Sequence, residues 1–179
     1  MRWQFSLYNN QLDNLIQQVD TGGAGTGPFQ YQNHGWVRVQ GFELGLEKIT
    51  ASSLKLNASI SGNHARNDMG TAQDNSPGWT GKGSVTTPWF DHSTYLAAEI
   101  QAIAKRSYTW NGMPYEVGSE VLANATVTFP NLWAKGLQAQ LRITNLFNRD
   151  VQHPASATIP SPRIPQNGRN LMAKLEYAF

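Results

Sequence analysis

The residues best equipped for chemistry are thinly spread along this chain. His34, His64, His92 and His153 could bind a metal or move protons, but none falls at the regular short spacing of a zinc site, and solvated polar side chains are the simpler reading. Met69 and Met113 could touch a haem, a copper ion or an apolar ligand; single loop methionines are usually incidental, so no metal ligand is assigned. The absence of cysteine excludes disulfides, thiolate metal sites and a thiol nucleophile. Serine, histidine and aspartate occur without a nucleophile elbow or a carboxylate pair, so neither a catalytic residue nor an enzymatic activity is expected. GTGP, GWTG and KGS lack the strand, glycine turn and helix that cradle a phosphate, and no cofactor is expected. What remains is Tyr108, Trp110, Tyr115, Arg149 and Arg163, carried by two long segments, 107–118 and 148–168. Rings and guanidinium groups together suit the capture of a bulky anionic ligand.

Such residues act only where a scaffold holds them, and here the scaffold is written as period-two alternation. In the final stretch Leu171, Ala173, Leu175, Tyr177 and Phe179 share one side of an extended strand, with Asn170, Met172, Lys174 and Glu176 on the other. Similar alternation runs through residues 2–8, 36–47, 54–66, 79–87, 95–106, 120–129 and 137–144. Residues 9–19 either continue the first strand or form a hairpin arm. Within 36–47 the apolar phase slips between Val39 and Phe42, which a bulge at Gly41 would reconcile. Fourteen lysines and arginines against twelve acidic residues leave a formal charge of +2, dispersed singly, so nucleic acid is not an expected partner.

No stretch approaches the ~18 apolar residues of a membrane helix. Barrel strands, however, need apolar side chains only at alternate positions, and strands of about ten residues tilted by roughly 40° cross the ~25 Å apolar band of an outer membrane. Connections near 48–53, 88–94 and 130–136 are short, while those near 20–33, 67–78, 107–118 and 148–168 are long, the sorting expected of periplasmic turns and extracellular loops. Trp3, Trp89, Phe90, Phe129, Trp133, Tyr177 and Phe179 gather at the short-turn side, and Trp36, Tyr108, Trp110 and Phe147 at the other, as two interfacial girdles would. The inward polar set (Lys55, Glu99, Gln101, Lys105, Gln138, Gln140, Arg142, Lys174 and Glu176) is long and mixed, which suits a wide lumen better than a small closed barrel. An open curved sheet is therefore expected, with residues 2–8 and 170–178 as unpaired edges. A self-contained eight-stranded barrel with a structural or adhesive role is the alternative, and it requires those edges to pair. Met1 is followed at once by the strand-like RWQFSLY without a signal region, so either the chain is cytoplasmic or its true N-terminus lies upstream.

LQAQLRITNLFNRD, a proline-rich stretch and then IPQNGRNLMAKLEYAF resemble the C-terminal end of the β-barrel of TonB-dependent outer-membrane receptors. Asn145, Leu146 and Phe147 match the Asn-Leu-Phe that ends the penultimate strand, Gly168 and Arg169 the Gly-Arg pair before the last strand, and Phe179 the terminal aromatic. Gly41, Phe42 and Glu43 resemble a Gly-apolar-Glu signature inside a strand, and Ser76 and Pro77 a Ser-Pro before the next one. The resemblance covers essentially the whole chain. It implies an all-β fold, a transmembrane antiparallel β-barrel segment of about eight strands forming the C-terminal part of a wall of about 22. It also implies the outer membrane of a Gram-negative bacterium and uptake of a scarce nutrient such as an iron-siderophore complex. The implied partners are outer-membrane lipid, a plug domain and upstream barrel strands not contained in this sequence, the TonB energising complex acting through that plug, and the barrel-assembly machinery. For the last of these, Leu171, Ala173, Leu175, Tyr177 and Phe179 would serve as the assembly signal.

Overall fold

A computed structural model describes residues 1–23, 27–89, 93–156 and 158–178. Among them every regular element is a strand: β1 (Arg2–Asp13), β2 (Ile16–Asp20), β3 (Phe29–Asn33), β4 (Trp36–Ile49), β5 (Lys55–Asn67), β6 (Trp79–Pro88), β7 (Tyr95–Ile103), β8 (Arg106–Trp110), β9 (Met113–Val117), β10 (Glu120–Phe129), β11 (Leu137–Thr144), β12 (Gln152–Pro154), β13 (Arg163–Pro165) and β14 (Asn170–Tyr177). Eight of these form one antiparallel sheet in the order β1-β4-β5-β6-β7-β10-β11-β14, and the other six form three two-stranded hairpins, β2-β3, β8-β9 and β12-β13. The outermost strands, β1 and β14, do not pair with each other, so the sheet is an open wall and the closed small barrel is not formed.

Alternation places the faces, and register aligns them from strand to strand. Leu171, Ala173 and Leu175 of β14 lie opposite Ile143, Leu141 and Ala139 of β11. From there the apolar face continues through Ala125 and Val127, then Ala98 and Leu96, then Val85 and Thr87. It reaches Leu56, Ala58 and Ile60 on β5, Leu44 and Leu46 on β4, and Trp3 and Phe5 on β1. Much of this face stays uncovered, Phe5 at 63%, Leu7 at 72% and Leu171 and Leu175 at 69% exposure, as a lipid-facing surface requires. The opposite face is polar. There Arg142 pairs with Glu99, which also accepts from Asn124 Nδ2 at 3.3 Å, while Lys174 meets Glu176 and Lys55 meets Glu47 at 3.5 Å.

Two sequence expectations are corrected, and one left open is resolved. First, β4 pairs residue for residue with both β1 and β5 through Gly41, so no bulge exists there. Val37 and Val39 instead lie on the inner face, with Trp36, Arg38 and Gln40 outside. The phase inverts because the surroundings do: above the apolar band the outer face meets polar surroundings, while the inner face is covered by protein, and Val37 and Ala65 are only 5% and 8% exposed. Gly41 answers a different need, since a Cβ there would collide with the Tyr8 hydroxyl and the Gly62 carbonyl. Second, the first strand extends beyond residue 8 to Asp13 and is prolonged by the β2-β3 arm. Third, the strand expected over 95–106 ends at Ile103, and Lys105 forms a 2.8 Å ion pair with Glu116 of β9 rather than lining the lumen.

Of the short-turn aromatics, Trp3, Trp89, Trp133 and Tyr177 are all exposed, Trp133 at 90%. Phe90, His92 and Phe179 lie outside the described residues.

Candidate functional site

Most of the buried apolar residues sit at the long-loop end, not within the sheet: Ala104, Tyr108, Val117, Val151 and Ala155 are each under a tenth exposed. They are brought together by β8-β9 and by the segment carrying β12-β13. Asn111 and Gly112 make the two-residue turn of β8-β9, with φ of 49° and 74°, and Trp110 pairs with Met113 across it. An Asn-Gly between alternating residues is a strong local hairpin signal, and it was open to reading in what the sequence presented as a loop. Register then sets Arg106, Tyr108, Trp110, Met113, Tyr115 and Val117 on one face of the hairpin.

That face is cemented to residues 148–168. Tyr108 is 4% exposed and its hydroxyl donates to the Pro162 carbonyl. Trp110 Nε1 donates to the Ile159 carbonyl at 3.0 Å. The Tyr115 ring packs against both, 5.9 Å from Tyr108 and 5.8 Å, edge-on, from Trp110. In return Arg163 Nη2 donates to the Glu116 carbonyl at 3.1 Å and Nη1 to Gln152 Oε1 at 3.3 Å. Below them Arg106 and Glu120, with side chains 9% and 10% exposed, form a 2.9 Å ion pair that bridges the two feet of the hairpin. Arg106 also reaches the Gln152 carbonyl at 3.4 Å, while Arg106 Nε and Glu120 Oε2 find no partner among the described residues. A third long loop joins through Asp74 Oδ2, which accepts from Thr109 N at 2.8 Å, and through Asn75 N, which donates to the Ser107 carbonyl at 2.9 Å.

Four of the five ligand candidates thus meet in one assembly, and three of them (Tyr108, Trp110 and Arg163) spend polar groups on holding it together. Tyr108 and Trp110 consequently belong to a loop core, not to a lipid-interface girdle. Arg149 is different: its backbone is held while its side chain is exposed beside a recess of about 210 Å³ lined by Ser119, Glu120 and Asp150.

Residues 145–149 and 168–169 show what the Asn-Leu-Phe and Gly-Arg signatures of this chain hold in place. Asn145, 6% exposed at φ 51°, accepts from Arg149 N and donates to the Arg149 carbonyl, both at 2.8 Å. Its own N–H donates to Asn124 Oδ1 at 3.0 Å, which ties the turn to the inner polar face. Leu146 N donates to the Ala123 carbonyl, and Phe147 is 69% exposed. Asn148 Oδ1 accepts from Arg169 N at 2.9 Å, and a Cβ on Gly168 would stand 2.8 Å from that same oxygen. Asn145 thus folds the turn after β11, and Asn148, at the end of that turn, clasps Gly168-Arg169 ahead of β14. Leu171, Ala173, Leu175 and Tyr177 are exposed on the lipid side of β14, and Glu43 lies on the inner face of β4, opposite Ser6 and Ser61.

The histidines do not converge. His34 is at the base of the β2-β3 arm, His64 on the outer face of β5 and His153 in β12; among the described residues no three histidines or carboxylates gather as a metal site.

The family model described as TonB dependent receptor-like, beta-barrel, matches residues 1–146. Among solved structures, the chain is similar to the ferric-catecholate import receptor Fiu from K12 E. coli in its closed form, with a TM-score of 0.74 and 17% identity over 99% of this chain and 25% of that one. It is similar to the copper transporter OprC, with a TM-score of 0.78 and 15% identity over 99% and 29% of the two chains. The ferric enterobactin receptor PfeA from Pseudomonas aeruginosa, in complex with enterobactin, gives 0.76 and 17% over 99% and 29%. At these identities the likeness is one of fold, and the chain spans between a quarter and three-tenths of the length of these structures. No curated protein sequence matches it.

Proposed function

Since the chain belongs to the TonB-dependent receptor β-barrel family, we propose that it is the C-terminal part of an energised outer-membrane receptor that takes up a scarce nutrient as a bulky complex, an iron-siderophore complex foremost. Its place is the outer membrane of a Gram-negative bacterium. The observation that carries the reading is the open wall itself: eight strands, an apolar outer and a polar inner face, edges left free on both sides, and long connections gathered at one end. Free edges call for further strands, and a polar inner face suits a wide lumen filled by a plug that a periplasmic energising protein can act upon. Transport is then the work of the complete receptor, and this segment supplies wall, rim and part of the cargo mouth.

Within that mouth Arg149 is the first candidate for direct contact with an anionic cargo, because its side chain is exposed and no ion pair holds its guanidinium among the described residues. Asn145 holds the Arg149 backbone; Tyr115 and Arg163, members of the neighbouring loop assembly, are the next candidates, whereas Tyr108 and Trp110 act by keeping that assembly rigid. Leu171, Ala173, Leu175, Tyr177 and Phe179 provide lipid contact and the signal read by the assembly machinery. Deleting Phe179 from the complete receptor should lower the folded amount in the outer membrane, and wild-type levels would refute that role.

The decisive experiment is uptake. A strain lacking the complete gene should lose growth on one iron chelate or copper source under limitation, with rescue that depends on an intact energising complex. Growth on every such source, or rescue by a strain without the energising complex, would rule the transport reading out.

A further inference from the structure

We propose that the outer face of β1, β4 and β5, just beyond the apolar band, binds the phosphate groups of lipids in the outer leaflet, with Arg38 and Arg66 as the paired cations. This rests on the outer-membrane placement and on the long loops lying outside. The boundary is drawn by register. Leu7, Phe42 and Gly62 form one row, and the next row on the same face is Asn9, Gln40 and His64, followed by Gln11, Arg38 and Arg66. At ~3.3 Å per residue and a tilt near 40°, the two polar rows lie roughly 5 and 10 Å above the last apolar one, the depth of a headgroup layer.

Arg38 and Arg66 are directly opposite in that register, on one face, and both are exposed. Like charges so placed repel. Among the described residues no carboxylate forms an ion pair with either, Asp68 standing by Gly35 in the row beyond: Arg38 Nη2 donates to Gln11 Oε1 at 2.8 Å with its guanidinium 5.7 Å over Trp36, and Arg66 donates to His64 Nε2 at 2.6 Å and to the Gly70 carbonyl at 2.7 Å. Asp13, opposite Trp36 in the row beyond, already accepts from Gln11 Nε2 at 3.0 Å. Glu43 and Glu47 lie on the other face of the sheet. Two guanidinium groups with unspent N–H donors thus stand side by side where an anion would both pair with them and relieve their repulsion. Phosphate matches the guanidinium fork. The arrangement continues the lipid-exposed face upward and faces away from the lumen, so the phosphate it meets is that of a membrane lipid.

The test uses the complete receptor in phosphatidylcholine vesicles doped with bisphosphorylated or with dephosphorylated lipid A. Lipid retained per receptor after detergent extraction is counted by mass spectrometry, and folding is checked by heat-modifiable gel mobility. Wild type should retain the phosphorylated form preferentially, and R38Q and R66Q should each weaken retention about tenfold. Equal retention of both lipids by wild type would overturn the proposal without any variant. So would full displacement by inorganic phosphate, which would mark a soluble-anion site, or a change of oligomeric state in R38Q/R66Q with retention unaltered, which would mark a contact between copies. Cargo binding is measured in parallel: its absence from a receptor that still retains lipid A counts against transport alone.

Discussion

Two hairpins prolong the wall beyond its rim, and they fare differently. β2-β3 and β8-β9 each have five-residue strands, and each extends a pair of barrel strands outward. In β2-β3 one face carries Ile16, Gln18, Asp20, Phe29, Tyr31 and Asn33, so apolar and polar groups are mixed, and Ile16 and Tyr31 are 74% and 72% exposed. In β8-β9 one face runs Arg106, Tyr108, Trp110, Met113, Tyr115 and Val117; Met113 at the tip is 63% exposed, and the ring side chains behind it dock on Ile159 and Pro162. A hairpin alone is marginal in water, so what separates an undocked arm from a docked one is whether one face holds enough contiguous aromatic surface to dock.

If that contrast is real, breaking the buried Arg106–Glu120 pair should have the largest effect. Replacing Arg106 with Ala leaves a buried carboxylate and should cost the loop assembly about 3–5 kcal/mol. Hydrogen exchange in the complete receptor would then rise across 107–117 and 150–165 and stay unchanged in β2-β3. Unaltered protection would erase the distinction between the two hairpins.

Next comes Tyr108→Ala, expected to cost about 3 kcal/mol through the lost ring, against about 1 kcal/mol for Tyr108→Phe, which removes only the bond to Pro162. Comparing the two by local exchange separates packing from hydrogen bonding. Gly168→Ala tests the clasp between β11 and β14: its Cβ would displace the Asn148 oxygen that holds Arg169 N, at a cost of about 1 kcal/mol. Loosening of residues 145–150 and 168–170 is expected in exchange data, without loss of the wall.

Smallest of all should be excision of the arm, with residues 17–32 replaced by a short turn. Long insertions weigh little on stability, and a change within about 0.5 kcal/mol is expected in thermal unfolding of the complete receptor. A drop comparable with that of the Arg106 variant would mean that the arm is docked after all.

The candidate site was only half legible. Tyr108, Trp110, Tyr115 and Arg163 stood out by type, and they do assemble, but type alone could not say that Tyr108 would point its hydroxyl at Pro162, 54 residues away. Arg106 and Glu120 do not stand out in the sequence, because a buried ion pair has no local signature when its partners are fourteen residues apart. The Asn111-Gly112 turn was the one clue that could have been used.

Alternation along β5, β10, β11 and β14, the eight-strand wall and the sorting of short and long connections are properties of neighbouring residues, since a strand's two faces are set by backbone geometry within a few residues. Which surroundings each face meets is not local. Val37 and Val39 read as lipid-facing until the register of β1, β4 and β5 put them above the apolar band and on the covered side. The same register set Arg38 beside Arg66, and packing between loops turned Tyr108 from a ligand candidate into a buried strut. Periodicity belongs to the chain, whereas height in the membrane and contact between distant loops exist only once the strands have been laid side by side.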